Sequence, residues 1–103
     1  MSVILTIEFP GVQVDKWREA YQQQAERFKQ IAEDGRSQGA MHHLFAATDD
    51  GTIVVVDEWD NNESWQRFFA NQEEIKSFMS EFFPDAGQPI VRSYRVVDTP
   101  DRF

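Results

Sequence analysis

Hydropathy patterning along the chain predicts an α+β domain, a four-stranded antiparallel sheet with two helices packed on one of its faces. Three observations carry this. Four segments are β-like, either alternating or densely β-branched, and are bounded by Gly, Pro or Asp. Two segments repeat apolar residues at helical spacing over several turns. Their order is β-α-β-β-α-β, which in 103 residues makes one domain of ordinary size.

The first strand, Val3 to Phe9, places Val3, Leu5, Ile7 and Phe9 on one face and Ile4, Thr6 and Glu8 on the other. Pro10-Gly11 is expected to end it. Asp15 is the expected cap of a helix whose apolar stripe is Trp17, Ala20, Tyr21, Ala25, Phe28, Ile31 and Ala32, with Gly35 as its stop. Gly39 to Thr48 reads as the second strand and Thr52 to Trp59 as the third, joined through Asp49-Asp50-Gly51, a hairpin signal. The second helix buries Trp65, Phe68, Phe69, Ile75, Phe78, Met79 and Phe82. Asn71-Gln72-Glu73-Glu74 resembles a capping box partway along it, and Pro84 ends it. Ile90 to Asp98 is the last strand.

This order is the split βαβ or ferredoxin-like arrangement. Both helices lie on one face, so nothing in the chain covers the other. Yet the second strand is apolar on both sides, with Met41, His43, Phe45 and Ala47 against Ala40, His42, Leu44 and Ala46, and Ile53 to Val56 make the third two-sided as well. One-sided sheets normally alternate cleanly, and a bare apolar face of this size is sticky. A second copy is the simplest cover, and a homodimer packed sheet to sheet is expected.

Composition narrows the partners. Ten Lys and Arg stand against eighteen Asp and Glu, a net charge of -8, with no clustered cations for nucleic acid or an anionic membrane. The absence of Cys removes disulfides, thiolate nucleophiles and Cys-ligated metals. Fourteen per cent aromatic residues argue against a disordered acidic chain. The opening residues lack the basic region and cleavage site of a signal peptide, and no apolar run approaches the ~20 residues of a membrane span, so a cytoplasmic protein is expected.

Three groups of residues could carry chemistry. His42 and His43 point to opposite faces of a strand and cannot share a metal within one chain; a His in an apolar cleft could act as a general base, because imidazole titrates near neutrality. No cluster with ligand spacing accompanies them, so no metal site is expected. The second group is Asp57-Glu58-Trp59-Asp60-Asn61-Asn62-Glu63-Ser64-Trp65. Asp60 with Glu63, or either Asn, fits a helix cap. An Asn can also hold a carbonyl or enolate oxygen, and an indole offers a flat wall to an aromatic ligand. The third group is Arg92, Tyr94 and Arg95 on the last strand. Tyr94 could orient a substrate oxygen, while the arginines read more simply as ion-pairing residues.

The element order, the run Val54-Val55-Val56-Asp57-Glu58-Trp59-Asp60-Asn61-Asn62-Glu63-Ser64-Trp65 and the upstream Gly39-x-x-x-His43 together resemble the antibiotic biosynthesis monooxygenase type of dimeric α/β barrel over nearly the whole chain. The resemblance implies a homodimer whose sheets form a barrel, with a small cavity between sheet and helices in each subunit. Cofactor-free anthrone oxygenases of this type use an Asn and a Trp near the start of the second helix, where this chain has Asn61 or Asn62 and Trp65. It therefore implies no cofactor, since the deprotonated substrate itself reduces O2. The haem-degrading members pair a first-strand Asn with a Trp and a late His in helix two. Here those places hold Thr6 and Glu8, Phe69, and no His after His43, so haem is not expected.

Two readings follow. In the first, the chain is a cofactor-independent monooxygenase of a small polycyclic aromatic phenol or quinol. His43, or failing it Asp57, is the base; Asn61 or Asn62 holds the oxyanion; Trp59, Trp65, Phe69 and Tyr94 shape the pocket. In the second, it is a non-catalytic dimeric barrel that binds a small apolar molecule or serves as an accessory protein, its interior filled by its own nine Phe side chains.

Overall fold

The computed structural model describes residues 1–103. Strands β1 (Val3–Gln13), β2 (Ala40–Ala47), β3 (Thr52–Trp59) and β4 (Ile90–Arg95) form one antiparallel sheet in the order β2-β3-β1-β4. Helices α1 (Val14–Gln23), α2 (Ala25–Ser37), α3 (Asn62–Ala70) and α4 (Glu73–Phe82) cover one face. This is the ferredoxin-like fold expected from the element order, with each expected helix divided in two.

Both divisions have local causes. Gln24 leaves helical geometry at φ −125°, ψ 25°, and its backbone N–H donates to the Tyr21 carbonyl. The turn breaks the long stripe, so that Ala25 is left exposed while Phe28 and Ile31 still reach the core. In the second helix Asn71 closes α3 as its C-cap, and Gln72, not Asn71, caps α4 by accepting from the Glu74 N–H at 3.3 Å.

Other boundaries move for equally physical reasons. β1 does not stop at Pro10-Gly11. A register break between Glu8 and Gln13, with Gly11 at φ +86°, makes a bulge in which proline's missing N–H costs no ladder bond, and the strand resumes with Gln13 opposite Thr52. Helix α1 begins one residue before Asp15, which sits in the first turn as a favourable negative charge rather than as the cap. Gly35 is inside α2, not at its end. A Cβ there would lie 3.5 Å from Phe68 and 3.6 Å from Trp59, so glycine lets the helix approach these rings closely. The turn after α2 uses Gly39 instead, at φ +121°. β4 ends at Arg95, short of Asp98.

The core is one cluster of fourteen buried residues between sheet and helices. Leu5, Val12, Trp59 and Phe78 are among its fully buried members. Val3, Leu5, Ile7 and Phe9 of β1 meet Ile53, Val55 and Trp59 of β3 on this face, as period-two alternation requires. A register shift between Ala40 and His42 changes the expected sidedness of β2: Ala40 pairs with Trp59 on the helix side together with His43 and Phe45, and Met41 is left exposed.

The opposite face carries Leu44, Ile90 and Tyr94 uncovered. Phe78 sits under all of this, 4.7 Å edge-on to Phe28 and 5.3 Å edge-on to Trp17. Truncation of so enclosed a ring removes its burial and leaves a void. Phe78→Ala is expected to lower unfolding free energy by about 3–5 kcal/mol, read from urea denaturation followed by far-UV circular dichroism.

Candidate active site

The strand register decides which polar groups enter the interior. Leu5, Asp57 and His43 lie abreast on β1, β3 and β2, all on the helix-facing side. Asp57 is thus a carboxylate in an apolar layer, its side chain only 4% exposed. Burial of an unpaired carboxylate costs several kcal/mol, and both of its oxygens are occupied. His43 Nδ1 lies 2.7 Å from Oδ1, and the Trp59 indole Nε1 donates to Oδ2 at 3.1 Å. An ionised carboxylate only accepts, so the shared hydrogen is on Nδ1 and neutral His43 keeps its lone pair on Nε2. Edge-on packing against Phe45, with centroids 4.9 Å apart, holds the imidazole plane.

This chain of bonds borders a cavity of about 70 Å3 between the sheet and the helices. His43 and Asp57 are the ionisable groups on its wall; Ile7, Phe28, Phe45, Phe68, Phe69, Phe78 and Met79 supply apolar surface. The His43 side chain is 37% exposed, so the same ring faces both the cavity and solvent and can pass a proton between them. The volume is well below the ~300 Å3 at which ligand pockets usually start. It has room for no more than one small ring.

Of the residues singled out in the sequence, His43, Asp57, Trp59 and Phe69 meet at this cavity. Asn61, Asn62 and Trp65 do not line it. Asn61 is the N-cap of α3, its Oδ1 accepting from the Ser64 N–H at 2.9 Å and the Ser64 hydroxyl at 3.1 Å. Asn62 accepts from Trp65 Nε1 at 2.8 Å on the exposed side of the first turn. Tyr94 is on the other side of the sheet, opposite Ile4 and half exposed, because its parity on β4 is that of the open face. The sequence reading passed over Trp17, Phe28 and Phe45 as site residues. Their signal was the helical stripe and the strand parity, which mark a buried position without distinguishing a core ring from a cavity wall.

The neighbouring residues form a second, separate pair. Glu58 faces the open side, where it accepts from the Ser2 hydroxyl at 2.7 Å and from Arg102 at 2.9 Å, with His42 Nδ1 at 3.0 Å. The Ser2 bond, then His42 and the Arg102 charge, hold its carboxyl below the ordinary value near 4.5. No group of three or more Asp, Glu or His side chains is placed to hold a metal ion. No helix is long and apolar enough to cross a membrane.

Neither a protein-family model nor a curated protein matches the sequence. Structures do match. SnoaB, a cofactor-independent oxygenase from Streptomyces nogalater, superimposes with a TM-score of 0.63 at 12% identity, over 98% of each chain. The ActVA-Orf6 monooxygenase of Streptomyces coelicolor, in complex with nanaomycin D, gives 0.67 at 18% identity, over 97% of this chain and 93% of that one. This chain has the fold of these oxygenases. A dimeric ferredoxin-like protein from an uncultured marine organism matches as well, with a TM-score of 0.68 at 14% identity, over 99% of this chain and 93% of the other. At such identities the likeness is one of fold, on which chemistry varies freely.

The Glu58 cluster yields a pH prediction. A carboxylate whose folded pKa is depressed stabilises the fold above its unfolded pKa, and that contribution disappears as pH falls through the folded value. Glu58→Gln is therefore expected to lower stability by about 1–2 kcal/mol at pH 7. The difference from wild type should shrink below about pH 4.5. Urea midpoints measured between pH 7 and pH 3 check it.

Proposed function

We propose that this chain is a homodimeric, cofactor-independent monooxygenase that oxidises an aromatic phenol or quinol, its reacting ring seated against His43. The observation that carries this reading is the hydrogen-bonded series His43–Asp57–Trp59, the one polar feature of an otherwise apolar, aromatic-walled cavity. Its fold is shared with proteins described as cofactor-independent oxygenase and monooxygenase. A polycyclic substrate would place its remaining rings at the cavity mouth.

His43 Nε2 removes a phenolic or benzylic proton, and Asp57 stabilises the imidazolium that results, as a buried carboxylate at 2.7 Å can. The resulting electron-rich anion passes an electron to O2, and recombination forms a carbon–oxygen bond and a hydroperoxide. For an anthrone-type CH2 the hydroperoxide loses water: one oxygen stays as C=O, and the other leaves with the two hydrogens. Electrons come from the substrate and oxygen from O2, while His43 returns its proton to the departing oxygen. Apolar walls keep bulk water from the peroxide. Asp57 and Trp59 position the base. Asn62 and Trp65, bonded to one another outside the cavity, contribute only if that pair opens toward it.

The test is O2 uptake by metal-stripped protein supplied with anthrone, against a heat-denatured control. His43→Ala is expected to reduce uptake by about 10²–10⁴-fold, the usual worth of a positioned base, and Trp65→Phe to leave it within about twofold. Equal rates in wild type and His43→Ala would remove the proposed base. A wild type inert toward anthrones and naphthols would favour the second reading, a plugged, non-catalytic barrel, for which the small cavity volume speaks.

The dimer is assigned to the open sheet face, where Leu44 and Tyr94 are each 53% exposed. A charge placed there would be desolvated on association. Leu44→Glu should therefore shift the protein from dimer to monomer in light scattering coupled to size-exclusion chromatography, and a variant that remains dimeric would place the interface elsewhere.

A further inference from the structure

A second space lies beside the cavity, an open groove of about 400 Å3 between α1 and the ends of β2 and β3. Trp17 and Phe45 border both spaces. Their rings, 4.9 Å apart, form the partition. The groove's walls are apolar apart from Arg18, Gln22 and the Tyr21 hydroxyl. Arg18 has no carboxylate within ion-pair distance; the eight ion pairs of the molecule all use other residues. Arg36, Arg67, Arg92 and Arg95 are likewise outside those pairs, but of these guanidinium groups Arg18 is the one on the wall of the groove.

We propose that this groove seats a planar aromatic ring bearing a carboxylate, with the acid group held by Arg18. The groove has the volume of a ligand pocket, whereas the inner cavity has room only for the reacting ring. A fused or linked aromatic acid would span the two when the Trp17–Phe45 partition parts. Arg18 presents a planar donor fork suited to a carboxylate. The helix side of the molecule, which supplies Arg18, Tyr21 and Trp17, is not the open sheet face assigned to the second copy. That the bound acid is also the substrate rests on the oxygenase reading; that the groove binds it does not.

The probe pair is 2-naphthoate and its neutral analogue 2-naphthamide, titrated calorimetrically into the full chain. Naphthoate is expected to bind about fivefold more tightly, the worth of one partly exposed ion pair, and to lose that advantage in 0.5 M salt. Arg18→Gln should equalise the two probes, Arg18→Lys should keep part of the preference, and Ala47→Trp, which fills the groove, should block both. Equal affinity in wild type, a naphthoate preference surviving Arg18→Gln, or no binding of either probe would each overturn the proposal. Naphthoate binding governed by Arg18 in a protein that consumes no O2 would sink the oxygenase reading alone.

Discussion

Asp57 is an ionisable group in the middle of an apolar layer, and the interior is organised around keeping its two oxygens bonded. His43 reaches it across the β2–β3 ladder, and Trp59 reaches it from two residues along the same strand. The His43 bond does not survive a one-residue slip of β2, which would turn His43 outward and leave the buried charge with Trp59 as its one partner. Hydrophobic pairing alone would tolerate such slippage here, because β2 is apolar on both sides. The His43–Asp57 bond thus fixes what apolar packing leaves loose, and it leaves an imidazole beside a cavity.

The same alternation that sends Asp57 inward sends Glu58 outward, and each carboxylate faces its own histidine. The inner pair is enclosed by rings; the outer one is tied down by Ser2 and by Arg102 from the C-terminal tail. Burial separates their roles. His42 stands in solvent with its side chain 76% exposed, beside a carboxylate already bonded from two other directions. His43 and Asp57 have no competing partners beyond Trp59, so a proton arriving on His43 has one counter-ion. Two adjacent, chemically similar dyads therefore differ by strand parity: one fastens the tail, and the other can serve a reaction.

Much of the fold was legible because it depends on periods. Alternation in β1 and β3 and the Phe-rich spacing of the second helix follow from which residues must be buried, and the order of elements leaves few topologies. The misread features arise where one residue overrides a period. Gly11 carries β1 through a bulge past Pro10, Gln24 breaks a continuous stripe, and Gly35 proved a place of close packing rather than a stop. For the site, parity alone separates His43 from His42 and Tyr94 from the interior, but only once the register is known. The Asn and Trp at the head of α3 could not be resolved that way. A capping amide and a substrate-binding amide have the same sequence signature, and only the bonds to Ser64 and Trp65 distinguish them.

That distinction bears on how far a shared fold carries function. The oxygenases of this fold resemble the chain in backbone at 12% and 18% identity, so its chemistry has to be argued from its own side chains. Here the groups able to move a proton come from the sheet, on β2 and β3, and the amides of the helix head are committed to holding α3 in place. Asp57 has the more rigid platform, since β3 is flanked on both sides by hydrogen-bonded strands, and His43, on the edge strand β2, is held by its bond to Asp57 and by Phe45. Rigidity favours a base whose lone pair must stay aimed through successive proton transfers. The helix-borne groups are better suited to shaping access. On that division the sheet carries the dyad, and the helices supply Trp17 and Phe69 to the wall of the cavity beside it.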